Sequence, residues 1–324
     1  MHRTSITPSL LTAWALILVL ASMAQANPKP GTPVAANQPK LAFVAGAQPG
    51  EFLFNTGLLK GSMHRDGKAS GVQNVVYVPT NTPVSEGNGW FTHYRVITAD
   101  IRYPKAAWQW TTTARLLPDG AVEIRWEPNE ERPFEMTATY RWTAPDTLDH
   151  VTTVKAQKDL HKFEIFFPSY YSVKGFTSSS VWVKSNPQAG GKPGFMEATK
   201  AMGDLMSYPR DEEGLKILTD GRWRQKEHII AWKILPFYAG ALARRLDPAT
   251  GVCGLMMAQP KDCFTIGTYY GEEKWHRVIY LSIFGRDIKS GQTDQARTRL
   301  VFGHNISDEQ AIQRYRDYLK TPAQ

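Results

Sequence analysis

The sequence predicts a mainly β fold of antiparallel strands with short helices at its periphery. Three observations carry this. Phe134, Met136, Ala138, Tyr140 and Trp142 alternate with Glu135, Thr137, Thr139 and Arg141, the period-two signature of a half-buried strand. The neighbouring strand-like runs are joined by short turns, Asp119-Gly120 before and Ala144-Pro145-Asp146 after, which is the connectivity of an antiparallel sheet. Helical periodicity is confined to two short stretches.

The elements follow in order. Residues 10–21 form an apolar run behind Arg3 and ahead of Ala24-Gln25-Ala26, the pattern of a cleaved Sec-type signal peptide over residues 1–26. The expected destination is the periplasm or the exterior of a bacterial cell. The run is too short for a membrane span, and no later segment approaches one. Residues 27–48, rich in Pro, Ala, Gly and Asn, read as a flexible leader. Residues 49–324 then read as one β domain. Strands are expected over 74–78 and 94–99, and Asp66-Gly67-Lys68 has turn chemistry. Val122, Ile124 and Trp126 alternate with Glu123, Arg125 and Glu127 on the strand after the Asp119-Gly120 turn. Segments 148–155 and 162–167 continue the meander. Residues 192–222 read as a long insertion. Within it, Phe195, Ala198, Met202, Leu205 and Met206 predict a short amphipathic helix. At the C-terminus, Ser307 followed by Asp308, Glu309 and Gln310 is a capping-box pattern, and it predicts a helix over 307–319 with Ala311, Ile312, Tyr315 and Tyr318 on its apolar stripe.

Charge and cysteine usage exclude some classes. The chain carries a net charge of +8, but its basic residues are scattered among acidic ones. It lacks the clustered stripe that nucleic-acid binding requires. There is no His-x-His, His-Glu-x-x-His or Cys-x-x-Cys, so no metal site is predicted, although calcium needs no short motif. No cofactor motif and no nucleophile elbow occurs. Cys253 and Cys263 leave one disulfide open in an oxidising compartment. A turn centred on Pro260-Lys261 would place Cys263 opposite Ala258, and two buried thiols are the alternative.

Several residues carry candidate chemistry. On a strand over 162–171, Phe163, Ile165 and Phe167 point one way, and Glu164, Phe166, Pro168 and Tyr170 point the other. His93 and Arg95 would share a face of their strand, with Tyr94 opposed. Arginine can fork onto a carboxylate or vicinal hydroxyls. Trp108 and Trp110, two apart, would lie on one face as a platform for sugar C–H groups or as core. Arg286 and Asp287 stand at a strand end, as site groups or as a surface ion pair.

The segment Phe-Phe-Pro-Ser-Tyr-Tyr over 166–171 resembles the galactose mutarotase-like β-supersandwich superfamily, whose aldose epimerases carry Asn-His-Ser-Tyr-Phe at this strand end. Ser169 and Tyr170 match, and Pro168 stands where the family has its catalytic histidine. Residues 89–96, Gly-Trp-Phe-Thr-His-Tyr-Arg-Val, loosely resemble the family's arginine-bearing segment. Residues 288–292, Ile-Lys-Ser-Gly-Gln, resemble its late turn, but the preceding strand over 278–284 holds no carboxylate where the family has its glutamate. Glu272, Glu273 and Asp287 are the nearest. The resemblance therefore implies an antiparallel supersandwich and a saccharide or uronate ligand, without the standard epimerase pair. It implies a groove lined by Glu164, Tyr170, His93 and Arg95, with Trp108, Trp110 and Arg286 near it. Glu164 and His93 are the candidates for acid/base work, and a non-catalytic scaffold or accessory binding module is the alternative.

Overall fold

Period-two alternation of apolar and polar residues builds most of this chain into strands. The computed structural model describes residues 41–64, 68–225, 229–270 and 277–322. The expected signal peptide, the first part of the leader, Asp66 and Gly67 of the predicted turn, Glu272 and Glu273 lie outside them. In chain order the strands are β1 (Phe43–Ala45), β2 (Phe52–Asn55), β3 (Leu59–Met63), β4 (Gln73–Tyr77), β5 (Thr82–Pro83), β6 (Arg95–Ile97), β7 (Thr113–Leu116), β8 (Val122–Trp126), β9 (Phe134–Ala144), β10 (Thr147–Ala156), β11 (Leu160–Tyr170), β12 (Ser178–Asn186), β13 (Lys192–Glu197), β14 (Leu205–Pro209), β15 (Lys233–Ile234), β16 (Tyr238–Leu246), β17 (Val252–Ala258), β18 (Cys263–Tyr269), β19 (Val278–Ile288) and β20 (Thr293–His304). The helices are α1 (Glu212–Thr219) and α2 (Asp308–Lys320).

Three sheets result. Strands β1 to β5 form a five-stranded meander. A nine-stranded sheet runs β13-β12-β16-β17-β20-β10-β9-β8-β7, and a six-stranded sheet runs β15-β14-β18-β19-β11-β6. Every pairing is antiparallel except the short parallel contact of β14 with β15. The nine- and six-stranded sheets face each other across one core. The apolar positions of β9 meet Phe163, Ile165 and Phe167 of β11 and Ile279, Leu281 and Ile283 of β19 there. Each fully buried side chain of this size contributes roughly 1.5–3 kcal/mol.

The clearest alternation is realised as expected. Phe134, Met136, Ala138, Tyr140 and Trp142 are buried, and the residues between them are half-exposed. Asp119-Gly120 turns β7 into β8, with Gly120 at φ +83 and a Cβ there only 2.5 Å from that of Ala42, so only glycine fits. Ser307 caps α2, and its side chain and that of Gln310 close the capping box. Ala311, Tyr315 and Tyr318 of α2 cover the outer face of the nine-stranded sheet.

Three expectations are corrected. The meander does not continue from β10 into β11. Strand β10 pairs with β9 and β20, whereas β11 crosses to the other sheet, between β19 and β6. The reason is visible in β11 itself, which buries both of its faces over Phe163–Ser169 and so must be a central strand. Residues 195–206 form no amphipathic α-helix: Lys192–Glu197 and Leu205–Pro209 are strands, one in each large sheet, joined through a single 3-10 turn at Lys200–Met202. Phe195, Leu205 and Met206 pack from strands, while Ala198 and Met202 pack from the connection between them, so their helical spacing is coincidental. Finally, β17 and β18 form no hairpin, since they belong to different sheets. Cys253 and Cys263 are both buried free thiols, and burial pushes both of them above the ordinary cysteine range.

Candidate ligand-binding face

The outer face of the six-stranded sheet is built around β11. Its alternation puts Glu164, Phe166, Pro168 and Tyr170 there, away from the inter-sheet core. Phe166 pairs in register with Ser282 of β19 and Arg95 of β6, and Pro168 pairs with Tyr280. Tyr280 stacks on Phe166 with ring centroids 4.4 Å apart and planes 14° apart. The edge of Trp223 meets Phe166 at 4.7 Å and that of Trp232 at 5.8 Å. Tyr94 stands 6.2 Å from Phe166 and stacks on Trp108 at 4.4 Å. Such offset and edge-on arrangements are favourable beyond their buried area. Tyr94, Trp108, Tyr170 and Trp232 stay half-exposed, so the cluster opens toward solvent. Beside it lies a groove of about 520 Å³ lined by Leu218, Trp223, Ile229, Ile230, Trp232 and Ile234, among others.

Pro168 is tolerated because of the side to which its backbone points. The carbonyls of Phe166 and Pro168 accept from the amides of Tyr94 and Thr92 at 3.1 and 3.0 Å. The missing N–H therefore faces residues 91–94, where the neighbouring backbone is irregular, and β19 loses no ladder bond. Ser169, the other half of the Ser-Tyr match, turns inward and accepts the Phe91 N–H at 2.9 Å. Its role is to hold that irregular segment.

Glu164 shares the outer face, but its carboxylate is closed off. It is 0% exposed and accepts from Arg222 at 2.9 Å. The same guanidinium grips Asp220 through Nε and Nη2, at 3.1 and 2.8 Å, and reaches the Lys162 carbonyl at 3.0 Å. Burial raises the Glu164 carboxyl above the usual glutamate range, while the Arg222 charge and hydrogen bond pull it down. One cation between two carboxylates is a compensated structural cluster.

His93 is not on this face, which corrects the expectation that it shares one with Arg95. Phe91 has φ +56, and β6 begins only at Arg95, so strict alternation does not hold between residues 91 and 95. His93 turns into the inter-sheet core. It is fully buried against Trp126, His150 and Phe167, with centroids 4.9, 5.3 and 4.8 Å away, and its Nε2 meets the Thr152 hydroxyl at 2.9 Å. Burial pushes it down to about 3. Burial and the His93 charge likewise hold His150 well below the ordinary histidine value.

The remaining sequence candidates separate. Arg95 is on the outer face beside Phe166. Trp108 is there too, through Tyr94. Trp110 is not. Residues 107–109 form a short 3-10 helix, in which positions two apart point in different directions. Trp110 is 4% exposed and donates to the Pro104 carbonyl at 3.0 Å. Arg286 sits at the far end of β19, in register with Phe163. It is paired with Asp294 at 2.6 Å and Asp262 at 3.3 Å, so the ion-pair alternative describes its geometry. The structure thus brings together Tyr170, Arg95 and Trp108. Sequence reasoning missed Tyr280, Trp223, Trp232 and Arg222. Tyr280 was visible as the alternate position of Val278 and Ser282, but residues near 220–234 carry no periodicity that foretells where they fold.

Among solved structures, the Slr1438 protein from Synechocystis sp. PCC 6803 is similar with a TM-score of 0.51 at 9% identity, over 82% of this chain and 98% of that one. The GalM/aldose epimerase homologue from C. elegans is similar with a TM-score of 0.39 at 9% identity, over 82% and 99%. The α-N-acetylgalactosaminidase NagBb from Bifidobacterium bifidum, in its GalNAc complex, is similar with a TM-score of 0.44 at 10% identity, over 83% of this chain and 38% of that one. No family model matches the chain and no curated protein matches it. Likeness at these identities is one of fold alone, and the fold is mostly β and antiparallel.

Proposed function

We propose that this chain is an exported protein that binds carbohydrate on the outer face of its six-stranded sheet and is not a standard aldose epimerase. The carrying observation is the half-open aromatic cluster of Tyr94, Trp108, Phe166, Tyr170 and Tyr280, flanked by Trp223 and Trp232. Aromatic faces pack on sugar C–H surfaces, and indole N–H and phenol O–H groups remain for hydroxyls. Export rests on the N-terminal sequence pattern alone.

The second reading, a non-catalytic binding module, is favoured by one specific feature. Of the two residues proposed for acid/base work, Glu164 is held by Arg222 and His93 is sealed in the core. A general acid or base must come within hydrogen-bond reach of its substrate. This assigns binding roles to Tyr170, Arg95 and Trp108, and no catalytic role to His93 or Glu164.

A screen of the purified chain against a broad saccharide panel tests the proposal, read by thermal shift and by tryptophan fluorescence. A saccharide that stabilises the chain is expected, with Tyr170→Ala and Trp108→Ala each weakening it at least tenfold. Stabilisation by no saccharide in the panel would sink the carbohydrate assignment.

A further inference from the structure

Among the described residues, the aromatic face holds positive charge at Arg95 that no carboxylate pairs with. Arg95 is 8% exposed. Its Nη2 donates to the Tyr94 hydroxyl at 3.3 Å, and its guanidinium lies 4.7 Å from the centre of the Tyr94 ring. Its Nε is buried without a hydrogen-bond partner, and among the described residues no carboxylate forms an ion pair with it. Arg245 approaches from β16, fully buried. Its Nε and Nη1 donate to the carbonyls of Phe176 and Tyr269 at 2.7 and 3.1 Å, and its Nη2 has no partner. Burial, and then the charge of Arg277, push Arg245 down to about 9. The charge of Glu197 reaches Arg245, but no ion pair joins them.

Tyr280 ties these groups to one place. Its hydroxyl lies within electrostatic reach of Tyr170, Tyr94, Tyr269 and Arg245. Arg95, opposite Phe166, joins this group through the Tyr94 hydroxyl to which it donates. Guanidinium N–H groups only donate, and phenol hydroxyls readily donate. Burying a cation without a counter-ion is costly, and an anion supplied by a ligand would offset that cost. An acceptor-rich anion fits these donors better than a neutral sugar does.

We infer that the ligand of this face is an acidic saccharide, bearing a carboxylate or a sulfate or phosphate ester, whose anionic group seats against Arg95 with the Tyr94 and Tyr170 hydroxyls. This rests on the carbohydrate assignment above. It gives Arg95 the part of a specificity-determining residue, with Arg245 adding charge from beneath.

The test is calorimetric titration of the wild-type chain with matched ligands: uronate oligosaccharides and their methyl esters, sulfated and phosphorylated saccharides and their unmodified parents, and inorganic sulfate alone. Each acidic member that binds is expected to bind at least tenfold tighter than its neutral counterpart, and more weakly at higher salt. The carboxylate and ester arms tell the anion's source. Arg95→Gln is expected to erase the acid-over-neutral preference, and Arg95→Lys to keep part of it. Binding of neutral saccharides with no acidic preference, or a preference unchanged in Arg95→Gln, overturns the inference and leaves the carbohydrate assignment standing. Binding of sulfate with no saccharide bound overturns the carbohydrate assignment and with it the saccharide part of this inference. The wild-type comparison decides the matter even if the variants fold poorly.

Discussion

The two ends of strand β11's outer face carry the same kinds of residue and treat them in opposite ways. At one end, Glu164 and Arg222 are both completely buried, and Asp220 completes a cluster of one guanidinium and two carboxylates. At the other, Arg95 is nearly as deeply buried, with tyrosines around it and no carboxylate paired to it among the described residues. A buried charge held against an opposite charge, as Glu164 is by Arg222, belongs to the architecture. A buried charge without one is stable only because the rest of the fold tolerates its cost, and that is where an external partner is to be sought. The difference separates Glu164, expected to be catalytic, from Arg95, expected to bind ligand.

That contrast can be broken in order of expected effect. Removing one partner of the closed cluster should cost most. Arg222→Ala leaves Glu164 charged and unpaired in the interior and should destabilise by about 3–5 kcal/mol, read as the loss of unfolding free energy in urea. Adding Glu164→Gln to that variant should recover part of the loss. A single variant as stable as wild type would show that the cluster is not structural.

Next is the core behind the strand. Burial holds His93 and His150 neutral in the folded state, so their folded pKa values lie below that of an unfolded histidine, about 6.5. Between those limits the unfolded chain binds more protons, and stability rises with pH. It should be level above about pH 6.5 and lost progressively below, by about 2 kcal/mol per histidine at pH 5. For His93 the window runs down to about 3. Glu164, with its carboxyl raised, works with the opposite sign, so the decisive quantity is the difference in pH slope between wild type and His93→Gln. Equal slopes would mean that His93 does not titrate in this way.

At the open end the effects on stability should be small. Trp108→Ala removes a stack on Tyr94 and should cost about 1 kcal/mol in denaturant unfolding; a loss above about 3 kcal/mol would make Trp108 core instead. Arg95→Gln should change stability least, within about 0.5 kcal/mol of wild type or slightly upward, because no counter-charge is orphaned. A loss as large as that of Arg222→Ala would abolish the distinction between the two ends.

Much of the fold was legible in the chain wherever one face is wet and the other dry. Strands β8 and β9 announce themselves by alternation, α2 by its capping box, and the β7–β8 turn by Asp119-Gly120. Each is a local signal written within a few residues. Legibility failed where both sides of a segment are buried. The central strand β11 looked like one more hairpin partner of β10, and residues 195–206 mimicked a helix because apolar residues serving two sheets fall at helical spacing by accident. The site was read in part. Tyr170 and Phe166 follow from the period of β11, and Arg95 was placed on the correct segment. His93 was misplaced because residues 92–94 precede the strand, which begins only at Arg95, so the alternation on which the facing argument depended does not apply there.

By itself, then, the sequence determined the β character, the alternating faces of individual strands, and the absence of a histidine at position 168, since these depend on residue type and nearest neighbours. Only the tertiary structure decided which charges are compensated. Arg222 lies 58 positions from Glu164, and Tyr280 stacks on Phe166 across a strand pairing that the period of β11 does not specify. Coulomb and desolvation energies depend on distance and burial in space. Hence the same Glu and Arg letters could mean a salt-bridged wall at one end of β11 and an open cationic face at the other until the strands were put side by side.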